Sequence, residues 1–266
     1  MSMLSEILSI VPDINRFERI WKIAQVDFKR RYYNDRLGLI WALLNPIFIV
    51  LIYNFIFTII LKRVSEGIDN YALFLFSGII IWMSFVEMIK KGMRIILSKK
   101  YLILNVKVKK EDLYFSSSIS VLFSLIFNIV AFLVMALLYG FTFSLPILFL
   151  PVIIINVLLI GCGLGMILSI IFVHFRDFTH IIDLITMLGL WTSGIFFKAD
   201  LILQHSPVIY YLNPFVGMID NLRRITLYNL PPNLVTVNLN ILIGLIIFIV
   251  GNVIIKNNFQ SATEKI

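Results

Sequence analysis

Charge and cysteine are both scarce in this chain. Only 14% of its 266 residues are Asp, Glu, Lys or Arg, and Cys162 is the single cysteine. One thiol excludes an intrachain disulfide framework and a cysteine metal centre. There are three histidines, and no further His, Cys or carboxylate completes a ligand set, so no metal site is expected; His174 and His180 are expected to cap or hydrogen-bond near Arg176 and Asp177. No Gly-Lys dipeptide occurs, so there is no Walker loop to cradle a nucleotide phosphate, and the chain is not expected to hydrolyse ATP alone. The polar loops also lack an Asp-x-Asp pair, and no His is followed by an acid positioned for catalysis, which argues against a membrane-embedded glycosyl- or acyltransferase. Residues Met1 to Arg36 lack the apolar core and small-residue cleavage site of a secretory signal, so the N-terminus is expected to be retained.

What the chain has in excess is apolar sequence. Hydrophobic residues make up 60% of it and the mean hydropathy is +0.96, more apolar surface than a water-soluble fold of this length could hide. The uncharged runs are long enough to cross a hydrocarbon core of about 30 Å. They predict an all-α polytopic membrane protein with six spans, at about 39–61, 71–89, 113–138, 146–173, 181–197 and 237–255. The run from Leu113 to Phe175 holds no Asp, Glu, Lys or Arg and is too long for one helix; Tyr139-Gly140 through Ser144-Leu145-Pro146 divides it. Residues 1–36 form a separate polar segment ahead of the transmembrane domain, 37–266. Eighteen of the 23 lysines and arginines fall on one side of this arrangement, which is therefore the cytoplasmic side and holds both termini.

Three segments outside the spans carry pattern. Ile14, Phe17, Trp21, Ala24, Phe28 and Tyr32 recur at spacings of three and four, while Arg16, Arg19, Lys22, Lys29 and Arg30 fall largely elsewhere. This predicts a basic amphipathic helix lying in the interface. Trp21, Phe28, Arg30, Arg31 and Arg36 are its candidate contacts to an anionic headgroup, since the planar guanidinium fork suits phosphate. The loop Ser98 to Asp112 has an apolar centre between basic ends and suits either a protein partner or an anionic leaflet. Ala199 to Asn233, broken by Pro207, Pro214, Pro231 and Pro232, predicts two short re-entrant or interfacial pieces on the outer side before the last span; they either shape a pathway mouth or form a surface loop with snorkelling Arg223 and Arg224. No span carries an acid near its centre, where one would cost roughly 2.5–3.5 kcal/mol and mark a proton-coupled carrier. Gly161-Cys162-Gly163-Leu164-Gly165 contains a small-xxx-small spacing that permits close helix approach.

Leu37-Gly38-Leu39-Ile40-Trp41 followed by Leu44-Asn45-Pro46, then Phe175-Arg176-Asp177 after span four and Asn213-Pro214 after span five, resembles the permeases of type-2 ABC exporters over nearly the whole chain. Gly38, Trp41, Asn45, Pro46, Phe175, Arg176, Asp177, Asn213 and Pro214 carry the likeness. It is most similar to the branch exporting lipid-linked polysaccharide of the O-antigen type, with teichoic acid exporters close behind and capsule or drug exporters as alternatives. The resemblance implies two copies of the chain, two ATP-binding cassette subunits that hold ATP and magnesium, and an undecaprenyl-diphosphate-linked glycan as cargo in a bacterial cytoplasmic membrane. No cofactor in this chain and no nucleic-acid partner are expected. The amphipathic segment would be a gate helix, and Lys99, Lys100, Tyr101, Leu102, Ile103 and Leu104 would couple to the ATPase. Tyr53, Trp82, Phe85, Trp191, Phe196 and Phe197 are candidates to stack on sugar rings along a path, the competing reading being lipid or core contact.

Overall fold

The computed structural model describes residues 15–32, 36–38, 40–60, 68, 70–106 and 108–265, and among them every regular element is helical. Helix α1 (Arg16–Tyr32) precedes α2 (Ile40–Asn54), which continues into a π-helical turn at Phe55–Ile60. The long α3 (Tyr71–Met93) leads into two short helices, α4 (Ile95–Ser98) and α5 (Lys100–Asn105). Next come α6 (Lys110–Leu138), a 3-10 turn at Leu145–Phe149, α7 (Leu150–His174) and α8 (Phe178–Thr192). Three short helices, α9 (Ala199–His205), α10 (Pro207–Leu212) and α11 (Pro214–Thr226), precede the last, α12 (Leu234–Thr263).

Among the described residues, four stretches are long and apolar enough to cross a membrane: Tyr71–Met93, Lys110–Leu138, Leu145–His174 and Leu234–Thr263. Two shorter apolar helices, Leu44–Asn54 and Phe178–Thr192, correspond to the first and fifth expected spans. The expected break between spans three and four is present, since α6 ends at Leu138 and the chain resumes at the 3-10 turn. Several boundaries differ from expectation, the third and fifth spans each starting three residues early, at Lys110 and Phe178. The second helix runs on past Ile89 to Met93, carrying Lys90 and Lys91 in its last turn. The fifth ends at Thr192 rather than 197, because Gly194 takes a φ of +77° that an L side chain resists, and the chain turns there. The sixth starts at Leu234, where the Asn233 side chain accepts hydrogen bonds from the amides of Val235 and Thr236, and extends to Thr263. The ends of the first expected span, Leu39 and Leu61, lie outside the described residues, as do Ile14, Lys62, Arg63, Glu66 and Lys107.

Helix α7 is the hub, packed against α3 on one side and α12 on another. Its glycines set both contacts. A Cβ on Gly163 would lie 2.8 Å from the Ile247 carbonyl of α12, and one on Gly165 would lie 3.0 Å from the Cα of Gly92 in α3. Backbones this close exclude lipid and replace it with dispersion contacts, the main attraction available between helices in hydrocarbon. Over its apolar stretch, Tyr71 to Phe85, helix α3 is buried on nearly every side, as a helix at the centre of a bundle must be, and its charged groups Glu87, Lys90 and Lys91 follow only at the polar end. By contrast α8 buries only Ile182 and Thr186 and presents Leu184, Ile185, Met187, Leu188 and Trp191 outward.

Helix α1 lies along α6 and buries Ile20, Ile23 and Ala24 there. Of the expected stripe, Ala24 is buried against α6, Phe28 is half-buried, and Phe17 and Trp21 stay 71% and 39% exposed on the protein itself. Ile20 and Ile23 join Ala24 in the protein contact, and the rings edge it. Trp21 meets Phe123 of α6 edge-on at 5.0 Å between centroids, and Phe28 meets the same ring at 5.6 Å.

Candidate functional site

One end of the bundle is polar and concentrates the charged groups. Asp112, fully buried at the start of α6, accepts hydrogen bonds from Arg16 Nε at 2.8 Å and from an Arg19 terminal nitrogen at 2.7 Å, tying α1 down. Asp27 pairs with Lys99, Glu87 with both Arg31 and Lys91, and Lys90 with Asp183 of α8. A cleft of about 400 Å³ opens among them, lined by Arg30, Lys90, Lys91, Arg94 and Lys99 with only Asp27 and Glu87 as acids. Its surplus positive charge suits a phosphate-bearing ligand. Asp112 is a residue that sequence reasoning passed over as the end of a polar loop. Asp112→Asn should loosen α1 by about 2 kcal/mol, most of it through Arg19, because Arg16 is half-exposed and screened. Faster hydrogen exchange confined to the amides of residues 16–32 would register it, and unchanged exchange there would show that the ion pairs do not hold the helix.

The expected coupling residues divide. Lys100 to Asn105 do form a short helix, α5, and on it Tyr101 and Leu104 are more than half exposed. Leu102 is buried at 7% exposure and Ile103 half-buried, so Leu102 belongs to the interior rather than to a docking face. Lys99 is occupied by Asp27.

The aromatic candidates gather in two groups inside the single chain. Trp82 and Phe85 of α3 pack on Phe215 of α11, at 5.1 and 4.0 Å between ring centroids. Trp191 stacks on Phe196 at 4.6 Å, and Tyr53 meets Phe196 edge-on at 5.1 Å. Trp82, Phe85 and Phe196 are buried, Tyr53 and Phe197 half-buried, and only Trp191 is substantially exposed. Phe215 joins them unexpectedly, placed there by the turn at Asn213-Pro214.

That turn opens a densely hydrogen-bonded part of the molecule. Asn213 caps α11 by accepting from the Phe215 amide at 3.1 Å, and its Nδ2 donates to the Thr192 carbonyl at the end of α8 at 3.1 Å. Asn221 donates to Thr236 Oγ1 and accepts from the Asn233 amide, joining α11 to α12. Tyr210 donates to Asp220, whose carboxyl burial raises above its ordinary range, opposed by the charge of Arg224. Arg223 is 2% exposed, so the reading in which it snorkels to the surface is corrected. It donates to Ser77 Oγ and to the carbonyls of Phe74, Gly194 and Ile195, and its guanidinium carbon lies 3.4 Å from the centroid of the Phe74 ring. The signal was present in the sequence, because Val216, Ile219, Arg223 and Thr226 recur with helical period, putting Arg223 on the apolar face and Arg224 off it. Arg224 instead donates outward to the Pro231 carbonyl at 2.9 Å.

Residues 18–227 of the chain match the family described as ABC-2 type transporter. The chain belongs to that family. Similar proteins include an O-antigen export system permease protein RfbA of Myxococcus xanthus, 26% identical over 205 residues, 76% of this chain and 78% of that one. Two more of the same name from Klebsiella pneumoniae are each 26% identical, over 246 residues (88% of this chain, 90% of that one) and over 204 residues (76% and 78%). As an ABC-2 type transporter the chain is a multi-pass membrane protein that works with an ATP-binding partner. The residues behind the family likeness fall at turns, at a helix cap and within α2 of this transporter. Gly38 holds a φ of +51° in the turn before α2, with Trp41 on the first turn of that helix. Asn45 is exposed and Pro46 buried within α2. Phe175, Arg176 and Asp177 form the exposed turn between α7 and α8, and Arg36 sits exposed beside Gly38, apart from the basic cleft.

Proposed function

We propose that this chain is the membrane subunit of an ABC exporter that carries a lipid-linked, O-antigen-type polysaccharide across the bacterial cytoplasmic membrane. The likeness to three O-antigen export permeases, one spanning 88% of the chain, carries this reading. In it the chain crosses six times, with α2 and its π-helical extension as the first span and α8 as the fifth, and both termini are cytoplasmic. Helix α1 lies in the cytoplasmic interface as a gate, and α9 to α11 re-enter from the outer side. Two copies line the path and two ATPase subunits, binding ATP and magnesium, dock beneath. The exposed Tyr101 and Leu104 of α5 form the contact to the ATPase, and the basic cleft with Arg30 receives the diphosphate. Trp191 is the aromatic best placed to meet sugar where two copies face each other; Tyr53 and Phe196 support it, while Trp82 and Phe85 brace α11. The absence of a mid-span acid on the described helices favours ATP-driven over ion-coupled transport.

Removing the gene from a host should abolish surface polysaccharide and leave undecaprenyl-linked polymer inside, and complementation by the wild-type chain should restore export. Normal surface polymer without the gene would refute the assignment. Complementation with the double variant Tyr101→Asp and Leu104→Asp should fail although the protein inserts normally, because two carboxylates in an apolar contact lack partners. Co-purification of the ATPase with this variant at the wild-type ratio would move the docking face elsewhere.

A further inference from the structure

Between α1 and α6 runs a groove of about 410 Å³ that is separate from the basic cleft. Its floor is Trp21, Phe28 and Phe123, and its far wall is Ile126 and Val130 of α6. Ile126 is 45% and Val130 53% exposed, and the same outward row continues at Val134, so the slot opens onto the hydrocarbon-facing side of a membrane-spanning helix. Its polar lining is Gln25 and Lys29 of α1, and among the described residues Lys29 forms no ion pair, whereas Lys22 is paired with Glu18 and Lys99 with Asp27.

We infer that this groove holds one acyl chain of an anionic phospholipid whose phosphate is bound by Lys29 and Gln25. The argument is one of complementarity along the length of the slot. An apolar trough that borders a cation forming no ion pair among the described residues, and that is walled by outward-facing residues of an apolar helix, matches a molecule with a negative head and a hydrocarbon tail. A zwitterionic lipid fits the trough but brings its own cation to the lysine. A free phosphate fits the lysine but leaves the aromatic floor empty. Bound there, the lipid completes the packing of α1 against α6 where Trp21 and Phe28 leave off. The inference rests on the placement of α1 in the membrane interface and is independent of which polymer the exporter carries.

The test uses the full chain purified in detergent with its ATPase partner. Native mass spectrometry would follow retention of phosphatidylglycerol or phosphatidylcholine of equal chain length, with glycerol 3-phosphate as the head lacking a tail. One phosphatidylglycerol per chain should survive delipidation. Lys29→Gln should weaken its retention about five-fold, the effect of one lysine at an anionic surface. Ile126→Trp, which fills the trough, should remove the adduct for either lipid, and glycerol 3-phosphate should not displace it. Equal retention of the two lipids by the wild type, or full retention by Ile126→Trp, would overturn the site. Should a variant fail to fold, fluorescence of the wild type decides: acyl-brominated phosphatidylglycerol should quench Trp21, isolated as the difference from Trp21→Phe, at several-fold lower mole fraction than brominated phosphatidylcholine. Quenching at equal mole fractions would mean that Trp21 meets bulk bilayer only.

Discussion

Arg223→Met should leave little folded protein. The side chain it removes is 2% exposed and donates to Ser77 Oγ at 3.2 Å, to Gly194 O at 2.7 Å, to Ile195 O at 2.8 Å and to Phe74 O at 3.0 Å, with a longer contact of 3.5 Å to Phe197 O. Methionine fills a similar volume but donates nothing, so the carbonyls that follow α8 lose their partner inside the bundle. An orphaned buried acceptor costs about 1–3 kcal/mol, and several are orphaned at once, for an expected loss of about 4 kcal/mol or more. The charge itself is tolerated because these carbonyls trail the C-terminus of α8, the negative end of that helix, and because the face of Phe74 adds a cation–π contact. Among the described residues no carboxylate forms an ion pair with it. Arg223→Lys keeps the charge, supplies fewer donors and cannot stack as a plane, so an intermediate stability is expected. Arg224→Met, one residue along and outward-facing, should stay within about 0.5 kcal/mol of wild type. Size-exclusion profiles and tryptophan-monitored melting in detergent would rank the three. A wild-type melting temperature for Arg223→Met would show that α11 is held by something else.

Gly163→Val should be nearly as damaging, for a steric reason. A Cβ at this position would sit 2.8 Å from the carbonyl carbon and oxygen of Ile247 and from the Cα of Phe248, and a Cβ on Gly251 opposite would sit 2.6 Å from the Gly163 oxygen. Both walls are backbone, so no rotamer change relieves the overlap, and α7 and α12 must separate along the most extensive contact of the bundle. Overpacking of this kind costs about 3 kcal/mol. Gly161→Ala, only two residues away, should cost less, about 2 kcal/mol, because its Cβ would meet the Met88 side chain, Sδ at 2.6 Å and Cβ at 3.1 Å, whose outer end can turn aside where backbone cannot. A melting profile in which the two variants matched would mean that the helices slide freely past Gly163.

Much of this was legible beforehand where one physical constraint dominates. Uncharged runs that must cross hydrocarbon announce themselves in composition, and the turn at Tyr139-Gly140 was readable because its breakers interrupt an otherwise continuous run. The basic amphipathic segment was readable too, although its buried stripe was not. Ile20 and Ile23 lie beside the series of Phe17, Trp21, Ala24 and Phe28, and only the presence of α6 decides that the two isoleucines and Ala24 are the residues covered within the chain. Arg223 shows the same ambiguity in stronger form. A helical period places it on an apolar face, but an arginine there reads as a snorkelling residue until the broken end of α8 is seen to supply carbonyls at the right distance.

The amino-acid sequence by itself determined that this protein is helical and membrane-embedded, roughly where each apolar segment begins and ends, and which family it belongs to. Those properties depend on local composition and order along the chain, and the bilayer imposes them segment by segment. Tertiary structure alone decided the partners: Asp112 under Arg16 and Arg19, Leu102 turned inward on α5, Trp82 and Phe85 closed over by Phe215, and Gly163 against the backbone of α12. Each of these joins residues distant in the chain, and a periodic pattern shows which face of a helix seeks cover without saying which neighbour provides it.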